Sequence, residues 1–202
     1  MRLIDLSGEI FHKCPTLPNH PPAVITDWNT HDTIREAEGV KFSIASKFMS
    51  FGEHTGSHVD APVHFDADPN ALSVDQMPLE DFFTEAVCLD LSHKELKSDI
   101  TVDDLEKAEV SAGIEIKSRD TVLLYMAHYD RTFGTPAFLS DFPGLVKESA
   151  EWLGKTAWCG GRSIVFGSCW RPGLTRSPTS GFCWTPWNPI AVLGITRSTG
   201  CS

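Results

Sequence analysis

Residues 54–65 read HTGSHVDAPVHF, and they place His54, His58, Asp60 and His64 within eleven positions. Histidine and aspartate at such density can bind a metal and move protons. His54 and His58 stand at i and i+4, the spacing of H-x-x-x-H zinc helices. Gly56 weakens a helix there, and Pro62 would disrupt one running through the motif. Asp60 also argues against it, since two residues is about 200° around a helix. The four positions are all even, so an extended segment brings them to one face. A bent strand end or loop is therefore expected, because Pro62 does not suit a central strand.

Two imidazoles and a carboxylate are a common ligand set for zinc, manganese or iron, and three protein ligands leave positions open for water. That is the arrangement of a catalytic site. The competing reading is a solvated loop whose histidines bond locally. Thr55 and Ser57 are expected to orient ligands or cap the turn, Glu53 to be solvated, and Asp66 and Asp68 to be loop acids. Outside the motif, His128 in YMAHYD is a candidate pocket residue and His93 a surface one.

The elements around the cluster alternate. RLIDLS (2–7) reads as a strand, and HKCPTLPNHPPAVITDW (12–28) as a loop. KFSIASKFMSF (41–51) alternates like a half-buried strand and runs into the cluster. AVCLDL (86–91) and DTVLLYMA (120–127) read as buried strands. Between them lies a predicted helix, 101–113, capped by Thr101 with Asp104 three residues on and closed by Gly113. Strand, helix, strand favours a parallel crossover. A second helix is predicted over 142–154, with Leu145, Val146, Ser149, Ala150 and Leu153 on its buried face. The fold class is α/β or α+β, one domain.

The 202 residues suffice for a sizeable core. A formal net charge of −10 disfavours nucleic acid and anionic membranes, pointing to a small-molecule or protein partner. No apolar run approaches the roughly 18 residues of a bilayer span, and the N-terminus lacks a signal-peptide core, so a cytoplasmic protein is expected. Six cysteines without a C-x-x-C pair argue against a cysteine zinc site, and reduced thiols are expected.

HTGSHVDAPVHF resembles the H-x-G-[TS]-H-x-D-x-P-x-H motif of the metal-dependent cyclase family, which includes bacterial kynurenine formamidases and isatin hydrolases. Every motif position is filled. IDLS, SVDQMPLEDF, AVCLDL, TVLLYMA and FPGLVKESAEWL follow in the family's order, so the resemblance covers about residues 3–154. It implies a swivelling β/β/α domain, a homodimer, and one or two divalent ions, zinc or manganese, per chain. By the same resemblance His54, His58 and Asp60 are metal ligands, Asp60 bridges two ions in dinuclear members, and His64 is the proton-transfer histidine. The implied reaction is hydrolysis of a small amide by metal-activated water. An arylformamide such as N-formylkynurenine is the expected substrate, with an isatin-like lactam or a lactone as the alternative. His64 would return a proton to the leaving nitrogen.

The last quarter departs from this pattern. No Asp or Glu occurs in 152–202, where average composition predicts about six. The same stretch carries +5 of charge, five of the six tryptophans and four of the six cysteines. The later histidine and glutamate that family members supply are missing. Residues 155–202 are read as an anomalous tail, translated out of frame, rather than as a basic, aromatic binding segment. Their loss of distal residues leaves a metal-binding, catalytically impaired protein as a rival to the hydrolase. A cysteine nucleophile is the weakest alternative, having no histidine partner evident in the sequence.

Overall fold

The computed structural model describes residues 5–64, 66–157 and 165–166. Most of the proposed tail lies outside the described residues. The first four strands form two antiparallel ribbons. β1 (Val24–Asn29) pairs with β4 (Ser46–Ser50), and β2 (Ile34–Ala37) pairs with β3 (Val40–Ser43). Glu38 and Gly39, both at positive φ, make the two-residue turn between β2 and β3. Such a turn matches the right-handed twist of paired strands.

This division corrects the single strand expected over 41–51. Its first half turns back on β2, and its second half pairs with β1. The expected half-burial is also absent: Phe42, Ile44, Phe48, Met49 and Phe51 are exposed. Val24 opens a strand within the stretch read as loop, and residues 5–10 form no strand.

The core lies further along. β5 (Ala86–Asp90) is followed by the short β6 (Asp99–Ile100), then α1 (Val102–Ala112) and β7 (Thr121–Tyr125). β5 and β7 pair parallel, and β9 (Val165–Phe166) adds to the other edge of β7. Strands covered on both faces need continuous apolar runs rather than alternation. AVCLD and TVLLY supply them, burying Val87, Leu89, Val122 and Leu124. α1 covers this sheet with Leu105 and Ala108. Full burial of a side chain like Leu105 contributes roughly 2 kcal/mol.

Both ends of α1 follow the predicted signals. The Thr101 hydroxyl accepts the Asp104 N–H, while the Asp104 carboxylate accepts the Thr101 N–H at 2.8 Å. Gly113 closes the helix in the left-handed region at φ 66°. Lys94 adds an ion pair to Asp104 at 2.9 Å.

α2 (His128–Thr132) follows β7, and β8 (Gly144–Leu145) pairs parallel with β6. The helix expected over 142–154 is α3 (Lys147–Ala157), starting later. Pro143 restricts the residue before it, and the Gly144 and Val146 N–H groups are committed to Ser98 and Ile100 carbonyls. Ser149 and Leu153 are buried as expected, whereas Ala150 is exposed. Cys14 is a buried free thiol. No helix among the described residues is long and apolar enough to cross a membrane.

Candidate metal centre

The motif is a sequence of turns. Residues 53–57 form a turn and bends, 58–61 carry no regular structure, and Pro62–His64 make one 3-10 turn. The convergence expected from strand alternation is thus produced by loop folding. Gly56 makes the sharpest bend, at φ 69°, where side chains are strained. A Cβ there would also lie 2.6 Å from Ile10 Cγ1. The N-terminal segment packs on the loop, and the Gly8 N–H donates to Ser57 Oγ at 2.8 Å. Ser57 therefore anchors that segment. Thr55 is buried, and its N–H closes the turn onto the Gly52 carbonyl at 3.1 Å.

Three donor atoms meet inside this loop. His54 Nδ1 lies 3.0 Å from His58 Nε2 and 3.1 Å from Asp60 Oδ1, and His58 Nε2 lies 3.4 Å from Asp60 Oδ1. Ligands about 2.0–2.2 Å from one ion stand roughly 3.0–3.5 Å apart. The triangle already has the dimensions of a ligand face.

Hydrogen bonding orients it. The His58 Nδ1–H donates to the Gly56 carbonyl at 2.8 Å, which turns the Nε2 lone pair toward the other two donors. Asp60 is buried, and its Oδ2 has no hydrogen-bond partner. A buried carboxylate with an unsatisfied oxygen is costly unless something cationic offsets it. The donor set, its compactness and this orphaned oxygen all fit a divalent ion.

The protonation pattern shows the same demand for positive charge. Burial pulls His58 down, but the hydrogen bond with Asp60, the Gly56 carbonyl and the nearby carboxylates outweigh it, so its pKa is raised. Burial would raise Asp60, yet its bond to His58 and the charges of His58, His54 and His64 hold it below the usual carboxylate value. His54 is lowered, first by burial, with the Asp60 charge opposing and the other histidines adding to the depression. A neutral imidazole is the form that ligates.

His64 stands apart from the triangle. It is exposed on the 3-10 turn, its ring 4.3 Å from that of His54. Glu53 Oε1 lies 3.6 Å from His54 Nε2, so the expectation of a merely solvated acid is incomplete. Glu53, His54 and His64 form a second group of donors, all within 4.8 Å of one another. His20 also reaches the site, its ring edge-on to His54 at 5.0 Å. Sequence reasoning missed it, since nothing in the spacing links PNHPP to a motif 34 residues on.

The remaining candidates lie elsewhere. His128 is buried between Phe138 and Phe142, with Nε2 bonded to the Phe138 carbonyl at 3.0 Å, and belongs to the packing of α2. His93 is exposed, and Asp66 and Asp68 accept bonds from their own loop backbone.

The Cyclase family model, described as "Putative cyclase", matches residues 4–160. The chain belongs to the cyclase family. Among solved structures it is similar to isatin hydrolase A from Ralstonia solanacearum, with 28% identity and a TM-score of 0.64. That alignment covers 83% of this chain and 65% of the other, so this chain spans about two thirds of its relative's length. Isatin hydrolase A from Labrenzia aggregata, solved with benzyl benzoate, aligns at 22% identity and TM-score 0.63, over 82% and 67% of the two chains. A structure described as a novel cyclase aligns at 13% and 0.59, over 76% and 60%. The last two likenesses concern the fold. No curated protein matches the sequence.

Proposed function

We propose that this cyclase-family chain is a metal-dependent hydrolase of a small aryl amide. The observation that carries the reading is the His54–His58–Asp60 triangle with its orphaned, buried Asp60 oxygen. These three residues would hold a zinc or manganese ion, which when bound supplies water activation near neutral pH and polarisation of a carbonyl.

The protein's own groups do the rest. The Gly56 carbonyl fixes the His58 tautomer, and burial keeps His54 neutral for ligation. His64, exposed with its ring 4.3 Å from that of His54, would take a proton from the attacking water and return it to the leaving nitrogen. An anilide nitrogen leaves poorly unless protonated, so this transfer governs the rate of C–N cleavage.

N-formylkynurenine and isatin share that acyl–aryl-nitrogen bond, one in an open formamide and the other in a lactam. The motif's resemblance points to the formamide, and the 28%-identical isatin hydrolase favours the lactam. Assays on both, with metal analysis, test the proposal. One ion per chain with chelator-sensitive hydrolysis of either supports it. Bound metal without turnover instead identifies an impaired family member, and turnover surviving chelation overturns metal dependence. We also propose a homodimer, whose contact would cover the exposed apolar residues of the β1–β4 ribbons. Sedimentation equilibrium tests it.

A further inference from the structure

The donors around His54 divide by side. Nδ1 faces His58 and Asp60, while Nε2 faces Glu53. The inner three are within 3.4 Å of one another, and the donor atoms of the outer group, Glu53, His54 and His64, also lie within 4.8 Å of one another. We propose that Glu53 and His64 form a second, weaker divalent-cation subsite on the solvent side of His54, and that filling it withdraws His64 from proton transfer. The consequence for catalysis rests on the hydrolase reading above; the subsite itself does not.

The chemistry is that of a water-rich two-ligand site. With Nδ1 facing the inner donors, His54 presents Nε2 to the Glu53 carboxylate. The outer ion is then held by a Glu53 oxygen and a His64 nitrogen, with water completing its shell. Two ligands on one ion stand at most about 4 Å apart, and the Glu53 and His64 donors lie within 4.8 Å of each other, so any closure needed is small. Glu53 can supply it, its side chain being 85% exposed and unrestrained by packing.

Affinity should follow the geometry. The inner face is compact, built around the buried Asp60 and oriented by Gly56, so it fills first. The outer pair must order an exposed carboxylate and bind beside an ion already present, whose charge repels it. Once the outer ion sits on His64, that imidazole's lone pair is occupied and no longer accepts a proton.

The test is a zinc titration of the whole chain by isothermal calorimetry, with bound metal counted after dialysis at each stage. Wild type should take a second equivalent at least 100-fold more weakly than the first. Glu53→Gln and His64→Asn should each keep the first and lose the second. Any hydrolysis by wild type should fall tenfold or more as the second equivalent binds, with no such fall in Glu53→Gln. Saturation of wild type at one equivalent, or a second ion retained in both variants, overturns the subsite. A second ion that binds without slowing turnover overturns its effect on His64. A chain with no turnover sinks the hydrolase reading, and the stoichiometries still decide the subsite.

Discussion

Replacing Gly56 by alanine separates two demands that the loop places on one residue. The first is conformational. Gly56 has φ 69°, and a side chain in the left-handed region costs about 1–2 kcal/mol. The second is steric. The new Cβ would lie 2.6 Å from Ile10 Cγ1 and 2.7 Å from Cδ1. Overpacking of this kind costs about 1–3 kcal/mol, and Ile10 is 37% exposed, so it can swing outward and hold the cost to the low end. Together they give about 2–3 kcal/mol. Ile10→Ala relieves only the clash, so the double variant should recover about 1 kcal/mol relative to the sum of the singles. Urea unfolding in the presence of chelator reads these terms without metal. The Gly56 carbonyl also orients His58, and disturbing such an outer partner lowers metal affinity about 10–100-fold. Competition against a zinc indicator measures that. A Gly56→Ala protein within about 0.5 kcal/mol of wild type, the usual range of a neutral surface substitution, refutes the strain argument. Strict additivity with Ile10→Ala refutes the clash, and unaltered zinc affinity refutes the link to His58.

Other expectations are direct. His58→Ala should abolish stoichiometric metal binding and any hydrolysis, read by metal analysis and assay; native affinity in that variant would remove His58 from the ligand set. His64→Asn should keep the first ion while turnover falls by about 10² or more, whereas loss of that ion would make His64 a ligand. Burial would raise Asp104, but the Thr101 N–H, the Lys94 ammonium and the Thr101 hydroxyl hold it at about 2, below its ordinary 3.8. Its contribution is therefore present above about pH 4 and lost as pH falls toward 2, so Asp104→Asn should cost about 1–2 kcal/mol at pH 7 and progressively less on acidification, by urea unfolding. The acid-free stretch from residue 152 predicts that shifting the reading frame of the coding DNA near codon 155 restores acids, a histidine and a glutamate; if neither shifted frame does so, the tail is genuine.

Local signals determined what local physics controls. Thr101, Asp104 and Gly113 mark the ends of α1 because a helix terminus is satisfied by residues three or four positions away. AVCLD and TVLLY announce buried parallel strands because both of their faces need apolar cover. The motif named His54, His58, Asp60 and His64 because a short segment can bring only its own neighbours together. Tertiary structure decided the rest. Alternation over 41–51 was compatible with one strand, and only pairing with β1 and β2 divided it. The shared even spacing suggested four residues on one face, but the bends at 53–57 and the turn at Pro62–His64 put three in a tight triangle around the buried Asp60 and left His64 outside it. His20 reaches His54 from a distant loop, and Ile10 packs over Gly56 from the N-terminal segment. Contacts between remote segments depend on the path of the chain between them, which no spacing within either segment encodes.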